Sequence, residues 1–346
     1  MKIDNYIIDF QSPVFIIAEL SANHNGSLEV ALETIKAAKR AGADCIKLQT
    51  YTADTITLDS DKPDFVIKGT IWEGRKLYQL YQEAYTPWEW HKTIFNAAKA
   101  EGLICFSSPF DKTAVDFLED LNSPAYKIAS FEITDIPLIE YVASKGKPII
   151  ISTGIANLVD IQLAIEACKR IGNNDIAILK CTSSYPAPIE EANLIMMQRI
   201  AKDFGVYVGL SDHTKGNLVS ILSVAMGAKI IEKHFILNKS IGGPDASFSL
   251  DENEFSEMVT AVRSAEKAIG VENYDLTEKQ QEGRAFARSL YVSNDMKIGE
   301  IITNENVRSV RPGYGLHPKY LKDIMGKKVN QALKMGTRFK LDYLER

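Results

Sequence analysis

Short apolar runs alternate with amphipathic segments through the first 270 residues, and this rhythm constrains the fold more than any other feature of the chain. Eight runs read as strands: 14–20, 45–50, 103–108, 125–130, 148–153, 176–182, 206–212 and 229–235. Most are continuously apolar rather than alternating, as expected of strands covered on both faces in a parallel sheet. Residues 28–42 and 160–172 carry apolar side chains at helical spacing and stop on Gly42 and Gly172, and a longer helical pattern spans 251–269 and runs to Gly270. Parallel strands require right-handed crossovers, and eight strand–helix units in about 270 residues match the size of a (β/α)8 TIM barrel. A doubly wound open sheet is the competing arrangement. The count of eight, and the lack of a G-x-G-x-x-G after the first strand, favour the barrel.

The second strand is followed by an insert of about residues 51–86 carrying Trp72, Tyr78, Tyr81 and Tyr85. It reads either as a lid or specificity loop, or as a surface hairpin without a role. Past Gly270 the composition changes. The expected division is a TIM-barrel catalytic domain over 1–270, a polar linker over 271–284 and a small β-rich domain over 285–346. The last contains an echo, Met296-Lys297-Ile298-Gly299-Glu300 against Leu333-Lys334-Met335-Gly336-Thr337, which points to a pseudo-symmetric module. At about 60 residues such a module is marginal alone and is expected to lean on a partner surface.

The formal net charge of −5 argues against nucleic acid as a partner. No apolar run reaches the roughly 18 residues that span a bilayer, so no membrane partner is expected. The N-terminus shows no signal-peptide core. Cys45, Cys105, Cys168 and Cys181 are widely spaced and read as buried free thiols. A cytoplasmic location follows as the expectation.

Polar residues gather where the strands end: Glu19; Lys47 and Gln49; Ser107 and Ser108; Lys127, Ser130 and Glu132; Ser152 and Thr153; Lys180, Thr182 and Ser183; Ser211, Asp212 and His213; Glu232 and His234. Burying a charge costs several kcal/mol unless it is paired or coordinated. Packing alone does not explain such a set at one end of eight apolar strands, and in a barrel this end is the catalytic mouth. His213 and His234 lie at neighbouring strand ends, where two imidazoles can share one divalent ion, with Asp212 and Glu232 as supporting partners. The alternative is a hydrogen-bonded core histidine. Lys47, Lys127 and the hydroxyls suit a phosphate or carboxylate, while a Schiff-base lysine at Lys127 is the rival chemistry. Glu19 reads as an isolated carboxylate in a cationic ring, either a general acid/base or a salt-bridge partner of Lys47.

The segments FIIAELSANHNGS (15–27), KLQTY (47–51), FSSPF (106–110), AYKIASFE (125–132), ISTGI (151–155), KCTSSYPAP (180–188), GLSDHT (209–214) and IEKHF (231–235) together resemble the sialic acid synthase family. ARSLY (287–291), KIGE (297–300) and VRSVRPGYGLHP (307–318) resemble that family's antifreeze-like (SAF, β-clip) domain. Within the family, YKIASFE, the IWEGRKLYQLY insert, KCTSSYP and RPGYGLHPK are more similar to the pseudaminic acid branch than to the N-acetylneuraminate branch. The latter tends to have G-S-G-E where this chain has Ala129-Ser130-Phe131-Glu132, and C-T-N-x-Y-P where it has Cys181 to Pro186. Ser183 thus replaces an asparagine, and Phe131 adds an apolar wall.

The resemblance implies a metal-dependent condensation of phosphoenolpyruvate with an open-chain amino sugar. In the pseudaminic acid branch the sugar is 2,4-diacetamido-2,4,6-trideoxy-L-altrose, and in the neuraminate and legionaminate branches it is of the N-acetylmannosamine type. A sugar-binding protein without turnover is the alternative of another class. Carried over, the resemblance gives one divalent ion, Mn2+ or Mg2+, on His213 and His234. It gives phosphoenolpyruvate on Lys47, Lys127, Ser130, Ser152, Ser183 and Ser211, and the sugar on Gln49, Tyr185, Asp245 and Arg311. Glu19 takes the place of the catalytic carboxylate. The resemblance further implies a homodimer in which the SAF domain reaches the neighbouring barrel.

Overall fold

In the computed structural model, which describes residues 1–345, eight parallel strands close into one barrel. They are β1 (Phe15–Glu19), β2 (Cys45–Thr50), β3 (Ile104–Pro109), β4 (Tyr126–Ile128), β5 (Ile149–Ser152), β6 (Ile176–Cys181), β7 (Tyr207–Asp212) and β8 (Ile230–His234), with β8 hydrogen-bonded to β1. Each falls within or next to a run read from the sequence. The open-sheet alternative is excluded by that closing pair, in which Ile230 stands opposite Phe15 and His234 opposite Glu19.

Eight helices form the outer layer: α1 (Leu28–Arg40), α2 (Trp88–Ala100), α3 (Lys112–Asp120), α4 (Ile136–Ala143), α5 (Leu158–Arg170), α6 (Met196–Phe204), α7 (Leu218–Ala225) and α8 (Glu252–Ile269). Their starts are locally encoded. Ser27 accepts from the Val30 N–H ahead of α1, and Asn157 and Asp251 form capping boxes ahead of α5 and α8.

Side chains alternate between the two faces of each strand, and this parity divides the barrel. One set faces the helices: Ile16 and Ala18, Ile46 and Leu48, Tyr126 and Ile128, Ile149 and Ile151, all buried in the larger core. The other set faces the barrel axis: Phe15, Ile17, Cys45, Phe106, Ala125, Ile150, Leu179 and Ile230 form an interior core with Ile3 and Ile8. Ile3 lies in an N-terminal hairpin, Lys2–Ile3 paired with Tyr6–Ile7, and Ile8 follows it; the hairpin packs against the first residues of the strands. The same inward parity, continued to the far ends of the strands, gives Glu19, Lys47, Lys127, Ser152, Ser211, Glu232 and His234. The barrel is therefore apolar where the strands begin and ionic where they end.

The 51–86 insert is ordered. Short helices Ala53–Ile56 and Leu77–Ala84 bracket a turn in which the Ile67 N–H donates to Arg75 and the Gly74 N–H donates to Ile67. Among the described residues no helix is long and apolar enough to cross a membrane.

The chain from Val271 onward forms a second unit. Segment 271–284, expected as a linker, contains the helix Glu278–Gly283, capped by Thr277. The antiparallel pair β9 (Ser289–Val292) and β10 (Val307–Val310) covers a core of Leu290, Val292, Val307, Ile324, Val329 and Phe339. The repeated segments meet in this unit. Met296 and Leu333, the first residues of the two copies, exchange both backbone hydrogen bonds at 2.8 and 2.9 Å. Gly299 and Gly336 both take the left-handed conformation that the echo reserves for glycine.

Two buried histidines tie the loops at the mouth. His24 Nε2 lies 3.2 Å from Thr86 Oγ1, and His91 Nε2 lies 2.9 Å from Thr50 Oγ1. Burial pushes both imidazoles down to about 4. A histidine whose folded pKa is depressed favours the native state fully above its unfolded value near 6.5, and that advantage is lost as pH falls toward the folded value. We expect stability to decline between pH 6.5 and about 4, each histidine contributing up to roughly 3 kcal/mol. Urea unfolding across this range measures the decline, and His24→Gln with His91→Gln should flatten it.

Candidate active site

At the ends of the strands the site is built in two tiers, a buried ionic floor and a chamber above it. Parity and register place the floor. Glu19 stands opposite Lys47 in the ladder, and Ser211 opposite Glu232. Lys47 Nζ lies 2.5 Å from Glu19 Oε2 and 3.9 Å from Glu232 Oε2, and Lys127 Nζ lies 3.8 Å from Glu232 Oε1. Hydroxyls surround these charges: Lys127 donates to Ser152 Oγ at 2.6 Å, Lys47 to Ser108 Oγ at 3.3 Å, and Ser211 to Glu232 at 3.0 Å. All four charged groups are at most 6% exposed. The salt-bridge reading of Glu19 is thus realised, but within the mouth rather than away from it. Glu19 is also not the isolated carboxylate expected, because Glu232 shares the same pair of lysines.

Burial and charge set the protonation states. Burial pushes the Glu19 carboxyl up to about 7, with Lys47 opposing and Glu232 reinforcing the rise. Burial works against the Glu232 charge as well, but Lys127, Lys47 and the Ser211 hydroxyl outweigh it and hold this carboxylate below its usual range. Burial lowers Lys127, while Lys47, paired more tightly, stays above its ordinary value despite burial. One carboxyl poised near neutrality beside one firmly ionised is an arrangement suited to acid–base work.

The two histidines are brought together. Their ring centroids are 5.4 Å apart, with Tyr185 4.3 Å from His213 and 6.3 Å from His234. His213 Nδ1 lies 3.0 Å from the Thr182 carbonyl, to which it donates, so in the neutral ring Nε2 carries the free lone pair; burial lowers the His213 pKa, but Cys181 and the Thr182 carbonyl outweigh burial and raise it. Burial, with the cationic surroundings, holds His234 well below its ordinary pKa, and its Nδ1 is buried without a hydrogen-bond partner. Two imidazoles with uncommitted lone pairs fit a divalent ion. Among the described residues no group of three or more His, Cys, Asp or Glu closes a ligand set.

Asp212, expected as a supporting partner of the histidines, faces the other way. Its parity points it to the helix layer, where Lys233 Nζ lies 2.9 Å away and where it accepts from Thr214 and Ser220. Glu232, expected in the same role, faces the lysines. Asp245 is the carboxylate beside His234, with 3.9 Å between Oδ2 and Nδ1.

Above the floor lies a chamber of about 940 Å3. Gln49, Ser130, Ser183, Tyr185, His234 and Asp245 line it, and Gln49 reaches down to Glu19 Oε1 at 3.2 Å. Gly154 marks a close approach. Its N–H lies 3.1 Å from Ser130 Oγ, and a methyl group there would fall 1.9 Å from Ser183 Oγ. Glu132 also lines the chamber. Burial raises its carboxyl to about 7, and its Oε2 has no partner. The sequence reading noted Glu132 beyond the fourth strand without giving it a role, since the turn at 130–132 hides its direction. The insert supplies much of the remaining wall through Ile67, Ile71, Trp72 and Leu80, so it does not stand clear of the mouth. Of the thirteen residues singled out from the sequence, Arg311 alone stands in the second unit, on an exposed turn after β10.

Residues 34–274 match the NeuB family and residues 287–344 the SAF domain. The chain is 53% identical to a pseudaminic acid synthase of Campylobacter jejuni, over 98% of both chains. It is 50% identical to a pseudaminic acid synthase of Helicobacter pylori, over 96% of this chain and 98% of the relative. Its structure is similar to the crystal structure of the N-acetylneuraminic acid (sialic acid) synthetase of Leptospira borgpetersenii in complex with citrate. That likeness has a TM-score of 0.74 and 29% identity, covering 82% of this chain and 94% of that one.

Removing one member of a buried ionic cluster leaves its partners uncompensated. Glu232→Ala leaves Lys127 without a carboxylate partner and Lys47 with Glu19 alone, and we expect a loss of about 3–5 kcal/mol at pH 7. Urea denaturation measures it. Because the two cations then lack a carboxylate between them, added inorganic phosphate should restore part of the loss.

Proposed function

This chain belongs to the NeuB family, and from that premise we propose that it condenses phosphoenolpyruvate with 2,4-diacetamido-2,4,6-trideoxy-L-altrose to give pseudaminic acid and inorganic phosphate. The identity of 50–53% to the pseudaminic acid synthases, against 29% to the N-acetylneuraminic acid synthetase, favours this sugar over the N-acetylmannosamine type. The single structural observation that carries the chemistry is the floor: two buried lysines in a ring of hydroxyls, beside a carboxyl poised near neutrality.

Lys47 and Lys127, with Ser130, Ser152, Ser183 and Ser211, form the cradle for phosphoenolpyruvate. Its phosphate and carboxylate take charge-assisted hydrogen bonds from the ammonium groups, and the glycine at 154 keeps the cradle open. Gln49, Tyr185 and Asp245 orient the open-chain sugar in the chamber. His213 and His234 would hold the divalent ion, Mn2+ or Mg2+, whose chemistry when bound is to polarise the aldehyde as a Lewis acid. Carbon 3 of the enol attacks the aldehyde carbon, forming the new C–C bond. Water adds at carbon 2, and cleavage of the C–O bond there releases phosphate.

The proton count closes on one residue. The aldehyde oxygen gains a proton as it becomes a hydroxyl, and the water loses one as it joins carbon 2. With both lysines and both carboxylates ionised the floor is neutral, so an incoming anion raises the Glu19 pKa further by like-charge repulsion. Glu19 then carries a proton into the complex, gives it up during C–C bond formation and recovers it from the water. Its buried Oε2 and its link to Gln49 favour this role. Arg311, on the SAF domain, reaches the neighbouring subunit's sugar in a homodimer, the part of the reading carried by family resemblance.

With phosphoenolpyruvate and Mn2+ or Mg2+, the trideoxy diacetamido sugar should be consumed while inorganic phosphate appears in equal amount; activity confined to N-acetylmannosamine would move the assignment to sialic acid synthesis. Glu19→Ala should lose at least a hundredfold in kcat yet bind the metal as the wild type does, whereas His213→Ala should lose both turnover and metal uptake. Phosphate release and calorimetric titration of the metal read the two effects separately.

A further inference from the structure

The walls of the chamber differ in chemistry. The barrel side presents hydroxyl, amide, imidazole and carboxylate groups, among them Gln49, Ser183, His234 and Asp245. The insert contributes mostly apolar side chains, Ile67, Ile71, Leu77 and Leu80, and Phe131 lines the same chamber. Two of these, Ile71 and Phe131, are 52% and 57% exposed, large apolar surfaces left uncovered at the rim of a deep cavity. An apolar patch of this kind, bordered by polar groups, marks a surface that a ligand covers. The insert is also built to hold its place. Leu80 is buried, Tyr81 packs edge-on against Tyr51 at 5.7 Å, and Tyr51 against Phe110 at 5.1 Å. Trp72 leans on Tyr185, with ring centroids 5.8 Å apart, so the insert touches the aromatic group that flanks both histidines. Its indole N–H is shielded from solvent and has no acceptor.

Resting on the reading of this site as that of a condensing synthase, we propose that the 51–86 insert is the specificity wall for the sugar. It takes the methyl-bearing substituents, the deoxygenated terminal carbon and the acyl methyl groups, while the polar barrel side holds the reacting end. A sugar with a hydroxyl at either position brings an oxygen against Ile67, Ile71 and Leu80, whose side chains offer no hydrogen bond in place of water. A hydrophobic wall rejects an added hydroxyl by about a hundredfold at most, so one weakened wall position has a graded effect. The wall selects doubly acylated, deoxygenated amino sugars over singly acylated hexosamines.

The test compares kcat/KM for the trideoxy diacetamido sugar with kcat/KM for N-acetylmannosamine in the full-length wild type and in Ile67→Ser and Ile71→Ser. Ile71 is exposed, so its substitution places no burden on folding. The ratio should fall about tenfold or more in each variant, through the sugar KM, with the KM for phosphoenolpyruvate held. A wild type that prefers the trideoxy sugar, with variants whose ratio moves less than twofold or that lose both sugars equally, overturns the wall and leaves the reaction standing. A wild type that uses only N-acetylmannosamine, or neither sugar, overturns the proposed reaction and the wall with it.

Discussion

Four charged side chains share the inside of one closed barrel with almost no solvent, and the architecture of the site follows from keeping them paired. Lys47 and Lys127 bring two positive charges, Glu19 and Glu232 two negative ones, and every member is nearly inaccessible. In such surroundings an unpaired ion costs several kcal/mol, so the cluster exists only because four strands hold its members in register. Glu19 stands opposite Lys47, Lys127 opposite Ile150 one residue short of the strand's end, and Glu232 opposite Ser211. The apolar interior beneath, from Phe15 to Ile230, packs on the same inward face of the strands. The arrangement also gives the two carboxyls different tasks: Glu232, between both cations, stays ionised, and Glu19, served mainly by one, is left near neutrality.

Much of this is legible in the chain. The eight runs, their polar ends and the two histidines mark a barrel with a charged mouth, and the motifs from Phe15 to Phe235 mark the family. What the runs conceal is direction. A strand buried on both faces has no alternation of apolar and polar residues to read, so the sequence does not say which of two consecutive polar residues points inward. That is why Asp212 and Glu232 looked equivalent beside the histidines, while the structure sends Asp212 to Lys233 and the helix layer and Glu232 to the lysines of the floor. The insert is opaque for another reason. It has no sustained period, and its place in the wall depends on contacts such as Trp72 with Tyr185, separated by more than a hundred residues. By contrast, the echo in the last 60 residues is legible because its copies pair locally, Met296 with Leu333.

The two tiers divide the chemistry along the same lines as the fold. Strand-borne groups are held by the ladder, and they supply the floor: the two lysines and the two carboxyls that share their charge. Groups on the connecting segments form most of the chamber, joined by Gln49 and His234 from the strand ends. A barrel of this kind tolerates changes in its connecting segments because the strands, not the loops, carry stability. In this chain a partly apolar insert stands over hydroxyl-rich strand ends and the ionic floor beneath them.

The outward-facing residues at the same level complete the argument. Lys233 and Asp212 are wholly buried behind the mouth, each the direct neighbour in sequence of one of the two histidines. Lys233 also donates to the Thr214 carbonyl, and Asp212 accepts from Thr214 and Ser220 at the start of α7. An ion pair so enclosed adds little net stability compared with apolar residues of the same volume, but it permits only one geometry. It joins β7, β8 and α7 immediately behind His213 and His234, so the spacing of the imidazoles is set by a rigid polar joint outside the barrel rather than by the site itself. A ligand that used both imidazoles would find them already held close together. The cost of bringing two lone pairs together is met when the chain folds, not when the ligand arrives.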